Sequence, residues 1–436
     1  MTTTPNFALN VLGKKIAFST IVQYAGKLLQ LVISAVSLKI ISNFLSQDGY
    51  GIYASIMEYA LFFSTAANLG LFGNVVRLMA DKPKDGKIFV DAFILRGLTG
   101  ILFFALAIGI CVVNGSSSGF IIGTALFCGG LFFDFLSTVC DGMLQANYMM
   151  GRAMIALLAG RILNLAVLFW IVKTAGTASA TTSGAFPDFL ILAATLSGSL
   201  LSCLLSLLFV SKKIVLDWNI RWAPMWKIFK MSLPYGAIFI LNNLYFRFIP
   251  DYLAHNSLSD AYFGSFNIAF RMSEVASLVS TFLMFSALPG LTEYIDTGHM
   301  DKAKKLFGSL QKLLLAAGLA VVVFGSLLGP FAIALLTHAK YNVPEMWFVL
   351  PMMLLLAAIS YGYDLVFLTL FAAKEEMWFL KFEFLALFVA GIFFGASYLF
   401  GDMTTKMALI LLGAIGGELT MMVCGMVKIR KVFRPV

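Results

Sequence analysis

Residues 88–113 read IFVDAFILRGLTGILFFALAIGICVV, and the short polar stretch NGSSSG (114–119) separates them from the next apolar run. Such a run exceeds the roughly 20 mostly apolar residues that a helix needs to cross a bilayer. Only Asp91 and Arg96 interrupt it. Runs of the same kind occur outward from it in both directions, near 15–42, 50–79, 119–146, 152–174, 187–211, 231–254, 261–290, 308–337, 345–372, 377–400 and 404–427. The pattern predicts an all-α polytopic membrane protein of about twelve transmembrane helices. Several runs are long enough to tilt or to extend past the hydrocarbon.

Composition agrees. Of the 436 residues, 60% are hydrophobic and 12% charged, and the mean hydropathy is +0.91. A soluble chain of this length could not hide that much apolar surface, so lipid must be the solvent for much of it. Cys111, Cys128, Cys140, Cys203 and Cys424 all fall inside apolar runs and read as small packing residues. His255, His299 and His338 are far apart, and no Cys/His spacing suggests a metal. The first run contains Lys27 and ends in Lys39 with no cleavage pattern, which reads as a retained helix.

Charge in the connections sets the orientation. With the N-terminus inside, the inner connections hold twenty cations: Lys14, Lys15, Arg77, Lys82, Lys84, Lys87, Arg152, Lys212, Lys213, Arg221, Lys227, Lys230, Lys302, Lys304, Lys305, Lys374, Lys428, Arg430, Lys431 and Arg434. The outer ones hold three, Lys173, Lys340 and Lys406. The bias holds loop by loop, so a missed helix would spoil it. It places both termini on the cytoplasmic side and accounts for the net charge of +9 without a nucleic-acid partner.

The longest inner connection, 212–230, lies at the midpoint and carries Trp218, Trp222 and Trp226. It reads as an interfacial linker between an N-terminal six-helix lobe (1–211) and a C-terminal one (231–436). A weak repeat agrees. At an offset of 212, Lys15-Ile16 aligns with Lys227-Ile228, and Asp48 and Tyr50 with Asp260 and Tyr262; one inserted residue then brings Gly51 onto Gly264 and Tyr53 onto Phe266. Repeated halves are a common transporter plan. The largest outer loop, Thr174 to Pro187, is rich in Ser, Thr, Ala and Gly and holds no domain. There is no phosphate-binding Gly-Lys loop, His/Glu cluster or nucleophile elbow, so the chain does not read as an enzyme. Gly325 and Gly329, and Gly413 and Gly417, read as sites of close helix packing.

Ionisable side chains at membrane depth cost roughly 2.5–3.5 kcal/mol each on insertion scales, so each needs a partner or a task. The cations are Lys27, Lys39, Arg96, Arg161, Arg247 and Arg271; the anions are Glu58, Asp134, Asp141, Glu274, Asp364, Glu383 and Glu418. Lys39 can snorkel from its helix end. Asp141 and Glu383 read as solvated near the inner boundary. Arg271 and Glu274, three apart, share a helical face and can neutralise each other. Lys27, Arg96, Arg161, Arg247 and Arg271 are the candidates for a cationic substrate cavity. Glu58, Asp134, Glu274, Asp364 and Glu418 are the candidates for a coupling-ion site. The first half has four such cations against three anions, the second two against four. That imbalance suggests an anionic headgroup site weighted to the first half and an ion site weighted to the second.

The run from Leu45 through Tyr53 (LSQDGYGIY), Asn68-Leu69-Gly70-Leu71 and Val75-Val76-Arg77 resembles the first-two-helix signature of the polysaccharide transport family. These are the Wzx-type, O-antigen flippase-like members of the multidrug/oligosaccharidyl-lipid/polysaccharide exporter (MOP) superfamily. Asp141 through Ala146 resembles that family's end of helix four. Asp260 through Gly264, Asn267 through Glu274 and Leu288-Pro289 resemble its helix eight. The resemblance implies a multi-pass inner-membrane flippase for an undecaprenyl-pyrophosphate-linked oligosaccharide of O-antigen or lipopolysaccharide type. It would work by alternating access around a cationic cavity, with Arg271 carried over by motif. It implies no cofactor, leaves coupling to a proton or sodium gradient open, and implies partners among the lipid-linked substrate, the bilayer and other polysaccharide assembly proteins. Two alternatives stay open: a cation-coupled drug exporter of the same superfamily, favouring an acidic cavity, and a membrane-embedded polysaccharide polymerase or ligase, requiring a large outer loop.

Overall fold

A computed structural model of the chain describes residues 5–71, 75, 78–79, 84–147, 149–175, 186–338, 340–341, 345–373 and 375–433. Arg77, Lys82, Lys374 and Arg434 of the inner basic set lie outside these residues, as do the side chains of Lys14 and Lys15 and most of the loop between Thr174 and Pro187. Among the described residues the regular structure is helical. The helices are α1 (Pro5–Phe44), α2 (Gln47–Asn68), α3 (Gly86–Val113), α4 (Ser118–Ala146), α5 (Met150–Ala175) and α6 (Phe186–Ser211). They continue as α7 (Trp222–Asn243), a π-helical turn (Leu244–Phe248) and α8 (Ile249–Ser257). The last are α9 (Asp260–Asp296), α10 (Met300–Thr337), α11 (Met346–Ala372), α12 (Glu376–Ser397) and α13 (Met403–Val432). With α7, the π turn and α8 taken as one rod, the described helices form twelve rods, one on each apolar run, although α2 ends at Asn68 and so short of its run's end at 79.

Two boundaries differ from the sequence reading. The expected 212–230 linker is shorter, because α7 begins at Trp222 and turns Lys227 and Lys230 into helical residues. The compact units of the chain are Met1–Ser46 with Tyr59–Gly236, and Gln47–Glu58 with Ala237–Val436. The start of α2 therefore belongs with the C-terminal helices.

Nine of the described helices are long and apolar enough to cross a membrane: α1, α3, α4, α5, α6, α10, α11, α12 and α13. The rods built on α2, α7 and α9 are not among them. These three carry Glu58, Arg247, Asp251, Arg271 and Glu274. Their departure from uniform hydrophobicity reflects charges that meet one another, described below.

Elsewhere the packing shows what solvent the chain is built for. On α10, Leu315, Leu319, Val323, Leu327, Phe331 and Leu335 recur every fourth residue and are 45–74% exposed. A continuous apolar stripe of that length requires lipid. Helix starts are fixed by side-chain caps: Asp85 accepts from the Lys87 N–H at 2.9 Å, Ser117 from Phe120 at 3.3 Å, and Asp402 from Thr405 at 2.8 Å. The hydrogen bonds from Thr405 hold the Asp402 carboxyl below its ordinary range. Past the end of α2, Leu69 and Gly70 take positive φ values of 44° and 65°. Backbone of Tyr235 and Gly236 abuts Gly70, leaving no space for a Cβ there. The expected close packing at the glycine pairs is seen. Gly325 and Gly329 receive Leu354 and Leu350, and Gly413 and Gly417 receive the rings of Phe394 and Tyr245.

Candidate functional site

In the second unit, residues 47–58 of α2 run beside the first half of α9. The repeat motifs recognised in sequence pack on each other: a Cβ on Gly51 would collide with the Asp260 backbone, and one on Gly264 would press on Tyr50 and the backbone of Gln47 and Gly51. This close approach makes the two helices parallel neighbours with an offset of 213 residues. Two turns further along, the same offset joins Glu58 to Arg271, whose Nη2 donates to Glu58 Oε1 at 2.8 Å. The Gly–Gly contact thus brings a carboxylate and a guanidinium together at the next shared positions of two adjacent helices.

A second guanidinium completes the site. The π turn after α7 directs Arg247 onto the same carboxylates. Its Nη2 donates to Glu58 Oε1 at 2.7 Å, its Nε bonds Glu58 Oε2, and its Nη1 donates to Glu274 Oε1 at 2.5 Å. Arg271 Nη1 donates to the other Glu274 oxygen at 2.7 Å. Asn267 Nδ2 adds a bond to Glu58 Oε1 at 3.1 Å. Asn267, Arg271 and Glu274 lie four and three residues apart on one face of α9, which is why one helix supplies three members. The Arg247 guanidinium also lies 4.9 Å from the centre of the Phe270 ring.

The network is not closed. Asp251, 4% exposed and one turn beyond Arg247, has its Oδ2 3.8 Å from Arg247 Nε. Neither of its oxygens has a hydrogen-bond partner, and Asn267 Oδ1 has none. Two guanidiniums face three carboxylates. Four sequence candidates from supposedly separate sets, Arg247 and Arg271 on one side and Glu58 and Glu274 on the other, therefore form one network. Asp251 was missed although its i, i+4 spacing from Arg247 is legible in the sequence. Asn267 was legible too, one turn before Arg271 in a quoted motif.

The first unit handles its charges differently. Arg96, 4% exposed, donates through Nη1 to Asn68 Oδ1 at 2.6 Å and lies 4.3 Å from the centre of the Phe135 ring. Its Nε has no partner. Asp91, five residues away, is committed instead to Arg221, which grips it through Nε at 3.3 Å and Nη2 at 2.5 Å. Asn68 of the signature motif thus serves Arg96. Arg161 and Asp134 line a small polar pocket with Asn164, Ser199 and Ser202. It exists because α5 and α6 approach closely at Gly160 and Gly198. Asp134 is bonded by Ser199, Ser137 and Ser202 lie 3.4 Å apart, and Ser206 donates to Asp141 at 3.2 Å. The constant offset of 65 residues makes this a polar ladder between parallel helices α4 and α6. Lys27 is half-buried on α1, in the same unit.

The remaining acidic candidates lie in the second unit. Ser280 bonds Asp364, and Asn242 Nδ2 donates to Glu418 Oε1 at 3.2 Å. Glu383, expected to be solvated, is fully buried and accepts from the Tyr363 hydroxyl at 3.1 Å. Packing by the π turn, α11 and α13 covers it, which its place near a run end did not reveal.

The fold is that of the MOP-superfamily transporters. It is similar to the inward-facing conformation of a multidrug resistance MATE family transporter of that superfamily, with TM-score 0.69 and 14% identity, covering 92% of this chain and 95% of that chain. A MOP superfamily transporter from Pyrococcus furiosus, described by the reverse polarity of its binding pocket, gives TM-score 0.69 and 16% identity over 97% of each chain. No curated protein matches the chain. The twelve helical rods among the described residues make it a multi-pass membrane protein. Within that class the chain belongs to the polysaccharide biosynthesis protein family, whose model matches residues 12–295.

Proposed function

We propose that this protein is a flippase for an isoprenyl-pyrophosphate-linked oligosaccharide, carrying a polysaccharide repeat unit across the cytoplasmic membrane by alternating access. The observation that carries the reading is the guanidinium pair Arg247 and Arg271, both turned onto the oxygens of Glu58 and Glu274. Guanidinium forks that grip two carboxylates offer the donor geometry that phosphate oxygens require. A pyrophosphate entering here would compete with the carboxylates for the guanidiniums, and the displaced carboxylates would need a proton or another cation to stay buried. The prenyl tail can stay in lipid while the headgroup passes. Arg96, Arg161 and Lys27 are the further candidate cations, all in the first unit. The basic connections support termini on the cytoplasmic side.

Complementation of a strain lacking its own O-antigen flippase tests the reading. Wild type is expected to restore surface polysaccharide. Arg271→Ala is expected to leave lipid-linked units at the inner face. Transport of a fluorescent pyrophosphate-linked oligosaccharide that is equally fast in wild type and in Arg247→Ala/Arg271→Ala would sink it. Export of lipophilic cations, with no lipid-linked sugar moved, would favour the drug-exporter reading, which the uncompensated carboxylates of the second unit motivate. Reporter fusions at both termini check the orientation.

A further inference from the structure

Helix α12 turns one face to lipid. Phe384, Leu385, Phe388 and Ile392 follow helical spacing and are 44–68% exposed. One turn nearer the start of the helix the same face carries Lys381. Of the exposed residues between Met377 and Ile392, Lys381 is the charged one. An ammonium is costly among acyl chains, so a lysine in this position stretches toward the membrane surface. Side chains of a helix lean toward its N-terminus, and the Lys381 ammonium accordingly reaches Trp378, 4.5 Å from the ring centre. Trp378 is itself 42% exposed. The same ring receives a second ammonium, that of Lys428 from the last turns of α13, at 4.6 Å.

The two lysines are compensated differently. Lys428 Nζ lies 3.1 Å from an oxygen of Glu375, the residue before α12. Among the described residues Lys381 forms no ion pair. Glu383, two residues on, is turned inward to Tyr363. A ring face attracts each ammonium through its quadrupole but carries no net charge. Trp378 therefore gathers two cations without neutralising them. Two ammoniums and one carboxylate leave an excess of positive charge at the foot of a lipid-facing apolar stripe. Arg430 and Lys431 add further exposed cations to the last turn of α13.

Charge and place together select the occupant. The stripe suits an acyl chain, and the ammonium at its foot suits the phosphate to which such a chain is joined. A zwitterionic headgroup brings its own cation to that phosphate, whereas an anionic one leaves it for the protein. We propose that Trp378, Lys381 and Lys428 form a binding site for an anionic phospholipid. Lys381 takes the phosphate, Lys428 adds attraction beside it, and an acyl chain lies along Phe384, Phe388 and Ile392. In the orientation proposed above, this lipid belongs to the cytoplasmic leaflet, whose anionic surface draws in clustered basic residues. The site concerns the lipid around the protein and is independent of what the protein carries.

Quenching of tryptophan emission by brominated lipid tests it. Full-length protein is placed in phosphatidylcholine vesicles, and brominated phosphatidylglycerol or brominated phosphatidylcholine is titrated in. The chain holds six tryptophans, so the signal is the part of the emission that Trp378→Phe removes in each background. Phosphatidylglycerol is expected to quench it at a several-fold lower mole fraction than phosphatidylcholine. Lys381→Gln is expected to cut that preference about fivefold, the effect of one basic residue at an anionic surface. Glu375→Gln, which frees the Lys428 ammonium, is expected to raise it, a gain that misfolding cannot produce. Equal quenching by the two lipids in wild type overturns the proposal, because Lys381 would then only be stretching toward the surface. A preference that survives Lys381→Gln also overturns it. So does an equal loss from Lys302→Gln, an exposed cation of α10, which would make the preference a property of the whole basic surface. Loss of the preference in millimolar inorganic phosphate overturns it as well, since the site would then take a soluble anion.

Discussion

Two residues of one π turn, Arg247 and Tyr245, enter regions of the second unit with opposite electrostatics. Around Arg247, each guanidinium is held by carboxylates and each of Glu58 and Glu274 by guanidiniums. Around Tyr245, two carboxylates share hydroxyl and amide donors and have no cation. The difference teaches how low-dielectric surroundings accommodate acids: by ion pairs in the first case and by neutral hydrogen-bond donors in the second. It also means that one chemical change, acid to amide, should cost much in the first place and little in the second.

The largest effect is expected on the paired side. Arg271→Ala leaves Glu58 and Glu274 with one guanidinium between them beside Asp251, and should lower stability by about 3–5 kcal/mol, the usual loss on breaking a buried pair. Thermal unfolding in detergent measures it. Combining it with Glu58→Gln should lose clearly less than the sum of the single changes, since each removes the other's partner. Additive losses would mean that the two residues do not interact. Next in size is Gly417→Ala, whose methyl meets the Tyr245 ring. It should cost about 1–3 kcal/mol, as overpacking does, and should be relieved by Tyr245→Leu. Breaking the ladder of the first unit is expected to matter less. Ser206→Ala, which leaves Asp141 without its hydroxyl donor, should cost about 0.6 kcal/mol, typical of interhelical hydrogen bonds in membranes. Smallest of all is Glu418→Gln, expected to change stability by less than about 0.5 kcal/mol, because an amide imitates a protonated acid. A Glu418→Gln loss as large as that of Glu58→Gln would erase the distinction between the two regions.

Much of the charged site could be read along single helices. Asn267, Arg271 and Glu274 follow helical spacing within one motif, and their shared face is a matter of 3.6 residues per turn. Arg247 and Asp251 follow the same rule. The partnership of these two groups was not readable, because Glu58 lies 189 residues from Arg247 and 213 from Arg271. Asp91 shows the limit in reverse. It is close to Arg96 in sequence, yet it pairs with Arg221, 130 residues on, while Arg96 turns to Asn68 and Phe135. Glu383 shows it again: depth along a helix was legible, but not which neighbours would cover that side.

The sequence alone determined the solvent and the helical rods, because twenty consecutive apolar residues have one stable destination and satisfy their backbone as helices within themselves. It also determined which residues would be uneasy there. Only the tertiary structure decided how each was reconciled, since whether a buried carboxylate meets a guanidinium or a tyrosine depends on which helices lie side by side. That choice follows from close contacts such as Gly51 on the Asp260 backbone and Gly417 on the Tyr245 ring, where missing side-chain atoms let two particular helices, and the charges they carry, come together.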